Sequence, residues 1–402
     1  MERWECLFCE QPRKENLFYP FCPECGQPLI VFPRKRAPRF RPARFSSLSK
    51  FEDFLPLPGI NEKTILGEGD TPLLRLSGLE KKLKLKFSLY AKNEMVNPTH
   101  SFKDRGTTVV IQKISFLGVN RLGTVSTGNM AASTAAYGSK AGIKTYVLLK
   151  EDAAREKIIS TGIYGAHLFL VKGDYGQLFK ESYRLGEKLG IYFANSCDPY
   201  RLAGYKLTSF EVYLQLGQHS PDYVFVPVSS AGHLTGLILG FLDLKQAGLI
   251  SRLPHFIGVQ AKGCSPLAKA WSRQSDDFVQ EKHPQTLAHA ISNPAPPAGR
   301  LALKMLRCYK GGMLAVTDDE IIKAQLELAS TEGLFCDPAS ATALAGLKKW
   351  LRLRASFSPV RVVLILTGSG LKDMAPVMAK GKISLIPVSL SGLEETLASL
   401  SF

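Results

Sequence analysis

From Gly67 onward, short apolar runs alternate with longer stretches of helical texture. Leu122 to Ser126 and Thr145 to Leu149 have the aliphatic and β-branched character of strands, and the alanine-rich Ala131 to Ala141 between them suits a helix. His167 to Val171, Ile191 to Ala194, Tyr223 to Val228, Phe256 to Gln260 and Val362 to Leu366 repeat the pattern, with helical stretches between them. Strands alternating with helices predict an α/β fold whose parallel sheets are covered on both faces. No internal repeat of about 20–50 residues is visible.

The chain before Gly67 has a different texture. Residues 33–58 combine several prolines with the basic run Arg34, Lys35, Arg36, Arg39, Arg41 and Arg44, and predict a solvated linker. Residues 1–32 hold Cys6, Cys9, Cys22 and Cys25 in the spacing C-x2-C-x12-C-x2-C. Two such knuckles supply thiolates for a tetrahedral Zn2+ with no open coordination position, so a structural zinc ribbon is expected, with iron as the alternative metal. Cys197, Cys264, Cys308 and Cys336 are scattered and fit small apolar roles.

Composition narrows the class. With 402 residues, 45% of them apolar, the chain can bury two cores beside the small module. No basic start followed by an apolar stretch is seen, and no apolar run of about 18 residues, so neither a secretory signal nor a membrane span is expected and the cytoplasm is the expected location. The most apolar region, Tyr223 to Leu242, is broken by Pro227, Ser229, Ser230, His233 and Thr235. A net charge of +16 fits either a nucleic-acid partner or anionic small molecules. The basic run holds only Phe40 and Phe45 among aromatics, which disfavours single-stranded nucleic acid.

Candidate chemistry gathers where ligands sit in such sheets, at the strand-to-helix junctions. Lys103 follows an Asn97-Pro98 turn and the pair Ser101-Phe102, just before a helical stretch. A lysine held still and desolvated there has a lowered pKa and an amine able to form a Schiff base. Ser126-Thr127-Gly128-Asn129, between a strand and the alanine-rich helix, suits a carboxylate at a helix N-terminus, and Asn129 offers both donor and acceptor. Ser229-Ser230-Ala231-Gly232-His233 makes a small-residue loop suited to a phosphate. Thr367-Gly368-Ser369-Gly370 puts a hydroxyl and two glycines at a strand end, where a flat ring can approach closely. Pyridoxal 5'-phosphate (PLP) needs an amine, a phosphate nest, a partner for its ring oxygen and a partner for its ring nitrogen, so the junctions jointly match that one cofactor.

The chain resembles the threonine synthase family of fold-type-II PLP enzymes. The carrying motifs are Gly67 to Leu73, Asn97 to Gly106, Ser126 to Asn129, Asn195 to Arg201, Glu332 to Ser340 and Thr367 to Asp373. The resemblance implies two three-layer parallel-sheet domains behind the ribbon: a large PLP-binding domain from 59–103 and 196–402, and a smaller mobile domain from 104–195. It implies that Lys103 holds the cofactor and moves protons. Asn129 would bond the ring oxygen, Ser229 to His233 the cofactor phosphate, and Thr367 the ring nitrogen. Ser126, Thr127 and Gly128 would clamp the substrate carboxylate, and Ser196 and Arg201 would meet a substrate phosphate. The implied reaction takes O-phospho-L-homoserine and water to L-threonine and phosphate, in a homodimer without membrane or nucleic-acid partners. Ser229, Ser230 and His233 replace the family's usual asparagines and extra glycine, Met130 stands where a small residue or threonine is usual, and Tyr205 where glutamine is common. Related readings are a cysteate-synthase-like β-replacement on phosphoserine or a threonine dehydratase. A reading of another class is a zinc-ribbon nucleic-acid binder on a degenerate enzyme scaffold.

Overall fold

The structure, a computed structural model, describes residues 2–33, 38–41, 47–151, 154–354, 359–380 and 386–399. It begins with an antiparallel sheet of β1 (Arg3–Cys6), β2 (Gln11–Arg13) and β3 (Ile30–Phe32), ordered β2-β1-β3. β4 (Leu73–Arg75) and β5 (Ser88–Asn93) then open a six-stranded sheet. The chain leaves it to build a four-stranded parallel sheet from β6 (Arg121–Val125), β7 (Lys144–Lys150), β8 (His167–Val171) and β9 (Tyr192–Phe193), ordered β8-β7-β6-β9. It returns with β10 (Tyr223–Pro227), β11 (His255–Ala261), β12 (Gly312–Val316) and β13 (Arg361–Leu366), completing the order β12-β11-β10-β13-β5-β4. β4 alone runs antiparallel in that sheet, at its edge.

The helices that matter for the site are α1 (Lys103–Phe116), α2 (Asn129–Lys140), α3 (Arg155–Gly162), α4 (Tyr175–Leu189), α5 (Pro199–Gln215), α6 (Gly232–Gln246), α7 (Gly299–Cys308), α8 (Asp318–Glu332) and α9 (Pro338–Leu353). Their starts follow from local chemistry. Asp198 and Asp337 cap α5 and α9 through their carboxylates, each with proline in the first turn, and Thr317 with Glu320 forms a capping box on α8. α1 and α5 cross at van der Waals contact of their backbones: a Cβ on Gly204 would lie 2.1 Å from the Arg105 carbonyl oxygen.

One apolar core runs from ribbon residues Trp4, Leu29 and Val31 through Phe210 to Leu239, so the cysteine module is docked on the body of the fold. A second core packs Leu89, Val259, Leu344 and Trp350 on the other face of the six-stranded sheet. The ribbon is pinned by polar contacts too. Lys113 Nζ donates to Glu2 at 2.9 Å, the Tyr200 hydroxyl donates to Glu2 at 2.7 Å, and the Leu301 N–H donates to Gln27 Oε1 at 3.0 Å.

The expectation of a solvated linker over 33–58 needs correction. Leu48, Phe51, Phe54 and Leu55 are buried, and Phe54 packs on Phe210 with ring centroids 4.7 Å apart. Phe40 adds contacts with Phe54 and Tyr213. Charges dominated the sequence pattern there, but the aromatics between them decide the packing. Arg34, Lys35, Arg36 and Arg44 of the basic run lie outside the described residues. Among the described residues no helix is long and apolar enough to cross a membrane.

Candidate active site

A cavity of about 610 Å3 lies between the four-stranded and six-stranded units, at the carboxyl ends of their parallel strands. Lys103 lines it as the first residue of α1. The turn before it is tied down from several sides. The Thr99 N–H and hydroxyl donate to the Asp104 carboxylate at 2.6 and 2.5 Å. The Phe102 N–H donates to the Thr367 carbonyl at 3.0 Å, and the Ser369 N–H to the His100 carbonyl at 3.1 Å. His100 takes φ +61° to make that turn. Desolvation, with the Arg201 charge second, brings the Lys103 amine down to a pKa of about 7.

Beneath the first turn of α1 sits a charge-balanced buried network. Arg105 donates to Glu94 at 2.5 and 2.8 Å and to Glu211 at 2.7 Å through two nitrogens. Lys92 donates to the same Glu211 at 2.7 Å. All of these side chains are buried. The network fastens α1 to β5 and α5 and so fixes where Lys103 emerges.

Opposite the lysine, Ser229, Ser230 and Ala231 line the cavity between β10 and α6. Ala231 is left-handed at φ +67°, and Gly232 starts the helix where a Cβ would meet the Ser196 carbonyl oxygen at 2.7 Å. His233 stacks on Phe102 at 3.9 Å and is buried, and neither of its ring nitrogens has a hydrogen-bond partner among the described residues. Burial first, then the Lys103 and Arg105 charges, push its pKa well below the usual histidine value, so the ring is neutral. A neutral imidazole with an orphaned N–H beside a helix N-terminus is a donor awaiting an acceptor.

On the remaining walls, Ser126, Thr127, Gly128 and Asn129 line the cavity at the N-terminus of α2, and Thr367 lines it at the end of β13. Thr367 is positioned by Ser340, whose hydroxyl lies 2.8 Å from the Thr367 hydroxyl and also accepts from the Gly368 N–H at 2.9 Å. Gly368 is required there: a Cβ would come within 2.7 Å of Asp337 and 3.2 Å of the Asn129 amide. Burial lifts the Asp337 carboxyl to about 6. An amine, a loop with orphaned donors, an amide and a hydroxyl therefore face one space of cofactor size, and the arrangement fits PLP.

Most of the residues singled out in the sequence line the cavity; Gly232 and Arg201 do not. Ser196 lines the cavity, but Arg201 is fully buried and is absent from the lining. Its guanidinium donates to the Thr107 hydroxyl at 2.8 Å, the Ala194 carbonyl at 3.0 Å and the Thr134 hydroxyl at 3.3 Å. Arg201 thus stands behind the cavity wall, where its charge acts on Lys103. Met130 lines the cavity, while Tyr205 is buried behind Phe102 with ring centroids 5.1 Å apart. Sequence reasoning missed Ser340 and Asp337, although both stand in the Glu332 to Ser340 motif. It also missed Lys150, Lys157, His289 and Lys372 in the lining, none of which lies in a glycine-rich junction except Lys372.

The ribbon thiols also converge. The Sγ atoms of Cys6, Cys9, Cys22 and Cys25 all lie within 4.8 Å of one another, with Cys6 and Cys25 3.5 Å apart and Cys9 and Cys22 4.0 Å apart. Four thiolates each about 2.3 Å from a tetrahedral ion would be spaced in this range, so the cluster fits a Zn2+ site.

Residues 64–368 match the family model for pyridoxal-phosphate dependent enzymes, and the chain belongs to that family. Within it, the chain is 41% identical over 325 residues to a threonine synthase of Methanocaldococcus jannaschii, covering 81% of this chain and 80% of the relative. A threonine synthase of Methanosarcina acetivorans is 38% identical over 333 residues, covering 83% of this chain and 82% of that one. Among solved structures, maize serine racemase superposes with a TM-score of 0.64 at 18% identity, over 82% of this chain and 92% of its own. That likeness is one of fold, and the expected α/β fold-type-II architecture stands.

Proposed function

We propose that this chain converts O-phospho-L-homoserine and water to L-threonine and phosphate, as a threonine synthase. The observation that carries the reading is Lys103: a desolvated amine, at a pKa of about 7, faces a cavity built for PLP in a chain whose relatives are threonine synthases. PLP, when bound through that amine, supplies the electron withdrawal that makes the substrate Cα–H acidic.

The residues divide the remaining work. Lys103, uncharged in part at neutral pH, would take the proton from Cα, pass it on to the conjugated cofactor system and so regain the free amine that takes one from Cβ, before phosphate leaves Cγ and water adds at Cβ. The Ser229 to Ala231 loop, the first N–H of α6 at Gly232 and the neutral His233 bind the cofactor phosphate. Thr367, oriented by Ser340, offers a neutral hydroxyl to the ring nitrogen. A hydroxyl does not force protonation of that nitrogen, which favours selective proton transfer and elimination over wholesale carbanion stabilisation. Asn129 bonds the ring oxygen, and Ser126, Thr127 and Gly128 hold the substrate carboxylate at the positive end of α2. Ser196 faces the substrate side chain.

The 104–195 unit closes on the 59–103 and 196–402 unit and excludes bulk water during elimination. The cysteine cluster holds a structural Zn2+ that keeps the ribbon folded against α5 and α7. The protein acts in the cytoplasm as a homodimer. Steady-state assays on O-phospho-L-homoserine, O-phospho-L-serine and L-threonine side by side test the reading. Threonine formed with one phosphate per turnover supports it, and turnover confined to either of the other two substrates rejects it.

A further inference from the structure

Helix α7 starts without a cap of its own. Its N-cap residue is Ala298, whose side chain cannot accept from the free N–H groups of the first turn. The ribbon supplies the acceptor instead. Gln27 Oε1 accepts from the Leu301 N–H at 3.0 Å, and that N–H, at the third helical position, is the donor a serine or aspartate N-cap would take. A backbone N–H only donates, so the amide oxygen of Gln27 faces it. Gln27 is buried and stands two residues after Cys25, with its carbonyl accepting from the Cys22 N–H at 2.8 Å. The cysteine cluster therefore fixes the backbone from which this side chain reaches α7. Farther along the helix, Lys304 Nζ donates to the Phe8 carbonyl at 2.9 Å, and the Arg300 guanidinium lies 4.5 Å from the centroid of the Phe8 ring.

The same turn of α7 reaches the cavity loop. The Ala298 N–H donates to the Ser230 carbonyl at 3.2 Å, and Ala298 is fully buried. Ser229, Ser230 and Ala231 line the cavity, and α7 packs on α6, the helix that this loop opens. One turn of helix thus has the ribbon amide on one N–H group and the loop carbonyl on another. We propose that Gln27 is a positioning residue for the cofactor phosphate: by capping α7 it holds Ala298 against Ser230 and keeps the loop in its phosphate-binding shape. The inference rests on the proposed function, which gives that loop the phosphate, and it extends the cofactor site into the ribbon. Fraying of an uncapped first turn would release the Ser230 carbonyl and let the N–H groups of the loop turn out of aim. The Lys103 amine is held by a separate set of bonds, from Thr99 to Asp104 and from Phe102 to Thr367, so only a ligand carrying the phosphate feels the change.

The test reads cofactor binding by the full-length protein, so it is decided whatever reaction the chain performs. Gln27→Met keeps the bulk and removes the acceptor, Gln27→Ala removes both, and Gln27→Glu keeps an acceptor at the positive end of the helix. Absorbance titration of the apoprotein gives the dissociation constants of PLP and of pyridoxal, the same aldehyde without the phosphate. Gln27→Met and Gln27→Ala are expected to weaken PLP binding about three- to tenfold, the worth of one helix cap, while pyridoxal binding holds and Gln27→Glu restores most of the loss. Unchanged PLP binding in both Gln27→Met and Gln27→Ala overturns the inference. So does a loss shared equally by PLP and pyridoxal, because that marks a general structural defect. An unaltered protein that binds PLP no more tightly than pyridoxal overturns the loop's phosphate role and this inference with it. A preference for PLP that Gln27 does not influence leaves the loop's role standing and sinks this inference alone.

Discussion

Glu211→Gln is the sharpest perturbation of the framework beneath Lys103. In the folded protein Glu211 faces two buried cations, Arg105 and Lys92, and also accepts from the Asp70 N–H at 2.9 Å. Burial by itself would raise its pKa, but those cations outweigh burial and hold the carboxyl at about 2, against an ordinary 4.5. A depression of that size corresponds to about 3 kcal/mol of stability, present above pH ~4.5 and lost as pH falls through the window from ~4.5 to ~2. The structural route gives a similar figure. Glutamine keeps the shape but leaves Arg105 and Lys92 facing Glu94 alone, and breaking a buried ion pair costs about 3–5 kcal/mol. Urea denaturation followed by fluorescence at pH 7 should show a loss of about 3 kcal/mol, and the gap to the unaltered protein should narrow as pH is lowered through that window. Adding Lys92→Met to Glu211→Gln rebalances the charges and should recover part of the loss. A loss under about 1 kcal/mol, or a gap that widens in acid, would refute the reasoning.

Three further outcomes follow from the same geometry. Reaction of the apoprotein with PLP at Lys103 should accelerate with pH about a midpoint near 7, because the free amine is the reacting form, and Arg201→Met should move that midpoint upward; stopped-flow absorbance reads both. Ser340→Ala releases the Thr367 hydroxyl and should lower kcat about tenfold, the worth of one hydrogen bond of about 1–1.5 kcal/mol, with the cofactor's absorbance maximum displaced. Cys22→Ser should abolish stoichiometric zinc in elemental analysis and lower the midpoint of thermal unfolding; full zinc content in that variant would remove the metal site.

Much of the scaffold was legible because its strands read as short apolar runs, whether almost wholly buried like β11 or exposed at a sheet edge like β8. His167–Val171 appears as expected, and Thr145 to Leu149 and Phe256 to Gln260 are each extended by one residue at either end in β7 and β11. β5 was missed because Ser88–Asn93 carries Lys92 and Asn93, polar residues that are buried only because Glu211 and a local turn satisfy them. The site's glycine-rich junctions were legible for a related reason, since small residues at strand ends have few other uses. The burial of Arg201 behind the cavity wall was not legible, because sequence shows a cation near a motif but not the direction of its side chain. Ser340 was illegible because it meets Thr367 only through the tertiary packing of α9 against the end of β13.

The claim on which the rest depends is that the Lys103 amine carries the cofactor. Borohydride reduction of the holoenzyme followed by peptide mass mapping measures it directly. The expected result is a single reduced pyridoxyl adduct on Lys103, absent from Lys103→Ala. An adduct on another lysine, or a holoprotein that takes up no label, would contradict the account.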